Sequence, residues 1–357
     1  MNIICDVYKG NVILGWNSYF EEQYKIYKEN DLIPARVITE LRNYYRILSE
    51  KEEFLAQISS KMNYVGICRN DYPAVGDWVL VSFPKLLDRA IIHKILPRLS
   101  KFSRKIPGRE KDEQILAANV DFVFIVSGLY QDFNIRRIER YLTIAWESGA
   151  NPIIVLNKTD LCDNLDEILS KTEKVGLGAP VHLISCYSEK GMDQITQYDK
   201  PGSIIALLGS SGVGKSTIIN HLLKYNAQKT NILRHGDNKG RHTTSSRELF
   251  ILPNGGMIID TPGMRELQLF GTQDATKKSF EDISIVAMNC RFTDCKHESE
   301  PGYAVREAIE KGELDENRLI SYKKLQKEIK FISQKNNRIN NDKYQWLKSV
   351  SKLRKKV

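Results

Sequence analysis

Eight consecutive residues, Gly209-Ser210-Ser211-Gly212-Val213-Gly214-Lys215-Ser216, match the pattern G-x-x-x-x-G-K-[ST] at every fixed position. An apolar run, Ser203 to Leu208, precedes them, and a stretch with helical character, Thr217 to Leu223, follows. That is the strand, loop and helix context the pattern requires. Glycines let backbone N–H groups approach phosphate oxygens, and the start of a helix adds its positive end. Lys215 would neutralise β- and γ-phosphates and Ser216 would ligate magnesium through its hydroxyl. The wrapped set would run from Gly209 through Thr217.

Asn157-Lys158-Thr159-Asp160 follows the apolar run ending at Leu156. A carboxylate at Asp160 accepts two hydrogen bonds from the N1–H and N2–H groups of guanine. Adenine lacks both donors and would leave it unpaired. The implied ligands are therefore GTP and GDP. Asn157 would tie this loop to the phosphate loop, and the Lys158 stem would lie over the base. Ser185-Cys186, after the next apolar run, suits a backbone N–H directed at guanine O6. Asp260-Thr261-Pro262-Gly263 closes the run Met257-Ile258-Ile259. Asp260 would hold magnesium through water, and the Gly263 N–H would sense the γ-phosphate.

Between these lies Gly240-Arg241-His242-Thr243-Thr244-Ser245-Ser246, placed as a switch loop that GTP orders and hydrolysis releases. Thr244 is the preferred magnesium ligand, with Thr243 the alternative. Met264 stands where many GTPases carry a glutamine that orients the attacking water. His242 is the nearest substitute in the switch loop, either orienting or deprotonating water, or else contacting RNA. The order is informative: N-K-x-D at 157 precedes the phosphate loop at 209, the reverse of an ordinary GTPase. Joining the old termini and cutting elsewhere preserves the contacts and sends the Asp260–Gly263 turn directly into the C-terminal region.

These residues need a frame. Phe122 to Val126, Pro152 to Leu156, Val181 to Ile184 and Ser203 to Leu208 read as buried parallel strands, with helical patterns between them, including Ile135 to Glu147. The alternation predicts a doubly wound α/β domain ending near Gly271. Upstream, Val75 to Val81 and Ala90 to Ile95 read as strands, with Gly10 to Trp16 and Ala35 to Ile38 as weaker candidates, so a small barrel or sandwich is expected. Pro97 to Lys111 reads as a basic linker. Tyr303 to Lys311 and Leu319 to Ile332 read as helices. Across 357 residues this suggests two or three domains.

The net charge is +9, but Tyr322 to Val357 holds twelve Lys/Arg against two Asp/Glu, so a polyanion partner is expected at that end. No apolar run reaches the ~18 residues needed to cross a bilayer, and the first residues carry no secretory pattern. Six scattered cysteines fit a reducing compartment. The expectation is a cytoplasmic, monomeric protein without a membrane partner.

The permuted order, together with Val75-Gly76-Asp77-Trp78, Ala117-Ala118-Asn119-Val120-Asp121, Gly240 to Thr244, Asp260 to Gly263 and Cys290-Arg291-Phe292, resembles the RsgA (YjeQ) family over essentially the whole chain. The resemblance implies an α/β permuted P-loop GTPase domain, an N-terminal OB-fold β-barrel and a helical, zinc-binding C-terminal domain. The corresponding segments are 1–110, 111–275 and 276–357. It also implies a role late in small-ribosomal-subunit assembly, contact with ribosomal RNA, and hydrolysis stimulated by that subunit. Cys290, Cys295 and His297 match three positions of the family's zinc motif, but Tyr303 stands at the fourth. Water, Tyr303 or a carboxylate completes the site, or the metal is lost and Tyr303 packs as core. Two competing readings are a large-subunit GTPase and an RNA-binding module that holds GTP without hydrolysing it.

Overall fold

The computed structural model describes residues 14–27, 31–49, 52–65, 69–84, 87–106, 109–130, 133–176, 178–224, 247–260, 280–290, 295, 304–327 and 330. The chain divides into two compact units, Met1–Asn134 with Ser148–Leu267, and Ile135–Glu147 with Gln268–Val357.

The first unit opens on α1 (Ser18–Lys25), whose N-terminus is capped by the Asn17 side chain accepting from the Phe20 N–H. Residues 14–16, from the stretch expected as a strand, form a turn into this helix instead. Trp16 lies edge-on against Trp78 with centroids 4.8 Å apart. Then come β1 (Ile33–Glu40), β2 (Tyr45–Ser49), β3 (Glu52–Ile58), α2 (Ser60–Val65), β4 (Trp78–Ser82) and β5 (Ala90–Ile95). Pairing runs β1-β2-β3-β5-β4 and back to β1, which closes a five-stranded barrel. Small and β-branched residues fill it, among them Ala35, Val37, Ile47, Ala56, Val79, Val81 and Ile92.

Residues 97–111 are not a linker throughout. β6 (Lys101–Ile106) and β7 (Arg109–Ala118) pair as an antiparallel ribbon. The Val75–Trp78 turn fastens this ribbon. Gly76, at φ +92°, sits so close to Ala118 that a Cβ would lie 2.2 Å from its carbonyl oxygen. Asp77 is fully buried and takes Nε and Nη2 of Arg98, both at 2.6 Å.

The nucleotide-type sheet follows: β8 (Phe122–Gly128), then α3 (Ile135–Ser148), β9 (Asn151–Asn157), α4 (Leu165–Gly176), β10 (Val181–Leu183), α5 (Met192–Thr196), β11 (Ile204–Leu208), α6 (Lys215–Leu223), β12 (Glu248–Ile251) and β13 (Met257–Asp260). The spatial order is β10-β9-β8-β11-β13-β12, parallel except for β12. The chain moves outward from β8 to β10, then returns to the other side of β8 with β11. The crevice at that reversal is where open α/β sheets bind ligands. β11 is buried along its whole length, as five consecutive apolar residues require. β12 also pairs with barrel strand β1, so one eleven-stranded sheet runs through the unit.

The second unit contains most of α3, with α7 (Glu281–Ala287), α8 (Ala304–Glu310) and α9 (residues 316–327). Ile138, Tyr141, Leu142 and Ala145 of α3 are buried at helical spacing. An ion-pair network joins these helices. Arg318, 4% exposed, donates from Nη1 to Glu139 at 2.8 Å, grips both carboxylate oxygens of Asp282, and lies over the Phe280 ring. Arg136 donates to the same Glu139 oxygen at 2.8 Å and to Asp315 at 3.2 Å.

Removing Arg318 leaves the buried Glu139 with Arg136 alone and takes the two-nitrogen grip from the half-buried Asp282. Arg318→Ala is expected to destabilise the protein by about 3–5 kcal/mol. Arg318→Lys should recover only part of this, because an ammonium cannot grip Asp282 through two nitrogens at once. Urea unfolding of the three proteins checks both.

Candidate functional site

The loop after β11 depends on glycine at three places. Gly209 (φ +154°) would put a Cβ 2.4 Å from the Val126 carbonyl oxygen on β8, and Gly214 (φ +103°) would put one 2.2 Å from Asn157 Nδ2. Gly212 adopts φ +75°. These left-handed conformations are costly for residues with a Cβ. Gly214 is the N-cap of α6 and has no side chain with which to cap it. Lys215 Nζ donates to the carbonyls of Gly209 (2.7 Å) and Ser210, folding the ammonium into its own loop. Ser216 and Thr217 stand in the first turn of α6.

Asn157, the last residue of β9 and 2% exposed, joins three segments. Its Nδ2 donates to Val213 O at 2.7 Å, and its Oδ1 accepts from the Cys186 N–H at 3.2 Å. Lys158 has φ +67°, and its stem runs beside Gly128 at the end of β8, with Cδ 3.6 Å from where a Cβ there would lie. Thr159 bonds Ile184 O through both its N–H (3.2 Å) and its hydroxyl (3.1 Å). Asp160 is exposed, and one of its oxygens accepts from the Ser185 hydroxyl, which in turn accepts from the Ser188 N–H. Burial pushes the Cys186 thiol up to about 11, with the Asp160 charge adding to the shift, so the thiol is neutral at physiological pH.

The structure thus gathers Asn157, Lys158, Asp160, Ser185, Cys186 and Val213 at the carboxyl ends of β9, β10 and β11. Asp260 ends the neighbouring β13, half-buried. A serine hydroxyl and a carboxylate are donors suited to magnesium. His242, Thr243, Thr244, Gly263, Met264, His297 and Tyr303 lie outside the described residues. Cys290 and Cys295 are each half-buried, and among the described residues no group of three or more His, Cys, Asp or Glu could hold a metal. Gly128 escaped the sequence reading. A glycine closing the apolar run Phe122 to Val126 was the available signal.

A parallel sheet with a phosphate loop at its reversal point, and with the N-K-x-D strand earlier in the chain than the phosphate-loop strand, defines a circularly permuted GTPase. The crystal structure of YjeQ from Thermotoga maritima superimposes with a TM-score of 0.63 and 26% identity, covering 83% of this chain and 98% of that one. The structure of YloQ, described as a circularly permuted GTPase, shares the fold at TM-score 0.62 and 22% identity, covering 85% and 96%. The family model described as RsgA GTPase matches residues 95–270. Small ribosomal subunit biogenesis GTPase RsgA 1 of Oceanobacillus iheyensis is 44% identical over 325 residues, 89% of this chain and 92% of that protein. Small ribosomal subunit biogenesis GTPase RsgA 2 of Lactiplantibacillus plantarum is 45% identical over 309 residues, 87% of each. The chain belongs to the RsgA GTPase family.

Gly214→Ala tests the Asn157 junction. The added methyl collides with Nδ2, so the bond to Val213 must break. GDP affinity measured by calorimetry is expected to fall by about tenfold or more, the loss of roughly 1.4 kcal/mol, with the circular dichroism spectrum unchanged.

Proposed function

We propose that this chain hydrolyses GTP in the late assembly of the small ribosomal subunit, as a single chain that contacts ribosomal RNA and is switched on by the subunit. The observation that carries the nucleotide part is Asn157, whose one side chain ties the phosphate loop to the Ser185–Cys186 loop. The names borne by its relatives support the small-subunit part. In this reading residues 111–275 are the nucleotide domain, flanked by the barrel with its basic ribbon and by the helical C-terminal segment.

Asp160, turned by Ser185, accepts the two guanine donors, and the Lys158 stem lies along the base over Gly128. The Cys186 N–H is shared between Asn157 Oδ1 and guanine O6. Lys215 leaves the carbonyls of Gly209 and Ser210 for the β- and γ-phosphates. Ser216 and Asp260 would hold magnesium, Asp260 through water, and the ion would supply charge neutralisation for the phosphates. Gly263 would donate to the γ-phosphate, Thr244 or Thr243 would add a hydroxyl ligand for magnesium, and His242 would align the water that Met264 cannot, or contact RNA. The tail, with twelve cations and with Tyr344 and Trp346 for stacking, binds RNA.

GTP turnover measured with isolated small subunits, with large subunits and with neither tests this. Small subunits are expected to raise turnover by about 100-fold, equivalent to ~2.7 kcal/mol. Equal stimulation by both subunits, or by neither, overturns the small-subunit assignment. Asp160→Asn is expected to lower GTP affinity by more than about tenfold without a change in melting temperature, and ATP displacing GTP equally from the unmodified protein overturns the guanine assignment.

A further inference from the structure

One transverse row of the sheet crosses from the barrel to the end of β13. Arg46 on β2 stands opposite Thr39 on β1, Thr39 opposite Glu248 on β12, and Glu248 opposite Asp260 on β13. Residues directly opposite in antiparallel pairs share a face. Glu248 and Asp260 are therefore two carboxylates facing the same way on adjacent strands, with Cβ atoms about 5 Å apart, an arrangement that is unfavourable when both are charged. The barrel answers this. Arg46 reaches over the short Thr39 and donates from Nη1 to Glu248 Oε1 at 3.1 Å, while its other nitrogen pairs with Glu53. One residue earlier, Arg247 donates to Glu40 of β1 at 3.0 Å and holds the strand junction from the other side.

We infer that Arg46, a barrel residue outside every nucleotide motif, is a positioning residue for the GTPase site: it neutralises Glu248 and draws it away, so that Asp260 keeps its place at the phosphate end of β13. This rests on the role proposed above for Asp260. The pair is about two-fifths exposed on the arginine side, so its effect is modest, roughly fivefold in a rate at ~1 kcal/mol.

The test is a double-mutant cycle on the full chain with Arg46→Ala, Glu248→Gln and both. In the nucleotide-free protein, Glu248→Gln alone lowers the melting temperature, because it loses the Arg46 pair. In the Arg46→Ala background the same change raises it, because it removes the unneutralised repulsion. In subunit-stimulated hydrolysis, Arg46→Ala lowers kcat about fivefold, GDP affinity measured in EDTA does not move, and adding Glu248→Gln restores kcat. A purely structural barrel contact predicts no sign reversal and no rescue, and either of those results overturns the inference. Absence of GTP hydrolysis by the unmodified protein, with the melting reversal intact, instead overturns the GTPase reading and leaves the Arg46 to Glu248 contact standing.

Discussion

The buried amide of Asn157 sets the geometry on which the rest of the site depends. Both ends of that amide are satisfied, one by the Val213 carbonyl and the other by the Cys186 N–H. A buried amide left half-bonded costs about 1–3 kcal/mol, so the phosphate loop, the N-K-x-D loop and the Ser185–Cys186 loop are held in one arrangement. Gly214 is glycine because Nδ2 occupies the space of its Cβ. Permutation does not disturb this junction, since nothing in it depends on which loop the ribosome makes first.

The same economy of close approach joins the barrel to the nucleotide sheet. Asn119, in the left-handed region at φ +56°, accepts from the Leu99 N–H and donates to Gly76 O, which fastens the ribbon to the Val75–Trp78 turn. Two residues on, Asp121 accepts from the Ile204 N–H at the head of β11. Arg36, wholly buried against Trp78, has its pKa lowered to about 10 by burial, opposed by the charges of Asp121 and Asp77. The motifs Val75–Trp78 and Ala117–Asp121 are thus explained by construction: they make a barrel, a ribbon and an α/β sheet into one unit.

The second unit is tied to the first by chain continuity at more than one point. The chain leaves β8, passes through α3 and returns to β9, and it crosses again after Leu267. The strands on either side of α3 end in Gly128 and Asn157, both parts of the site. Within its own unit, α3 is held by Glu139, which is 1% exposed and takes two arginines. A buried carboxylate of this kind is stable only while its cations stay in place, so the helix belongs with the C-terminal segment.

The parallel strands β8, β9, β10, β11 and β13, and the loops that follow them, were legible in the sequence because local patterns encode them. A run of apolar residues buried on both faces needs no partner to be recognised, and a phosphate loop needs its glycines for reasons internal to the loop. Strands β2 and β3 escaped because Tyr45–Ser49 and Glu52–Ile58 mix charged and apolar residues and become strands only when the barrel closes around them. The basic stretch after Pro97 looked like a linker because its pairing partner lies within and beyond it, in Arg109–Ala118. Sequence alone determined the class of protein, since the residue types and spacings of a phosphate loop and an N-K-x-D loop are local. Tertiary structure alone decided that the Lys158 stem runs beside Gly128, that α3 joins the C-terminal helices, and that a barrel arginine reaches Glu248 beside Asp260. Each of those depends on residues distant in the chain meeting across a strand pair or a buried charge, and no local pattern records such a meeting.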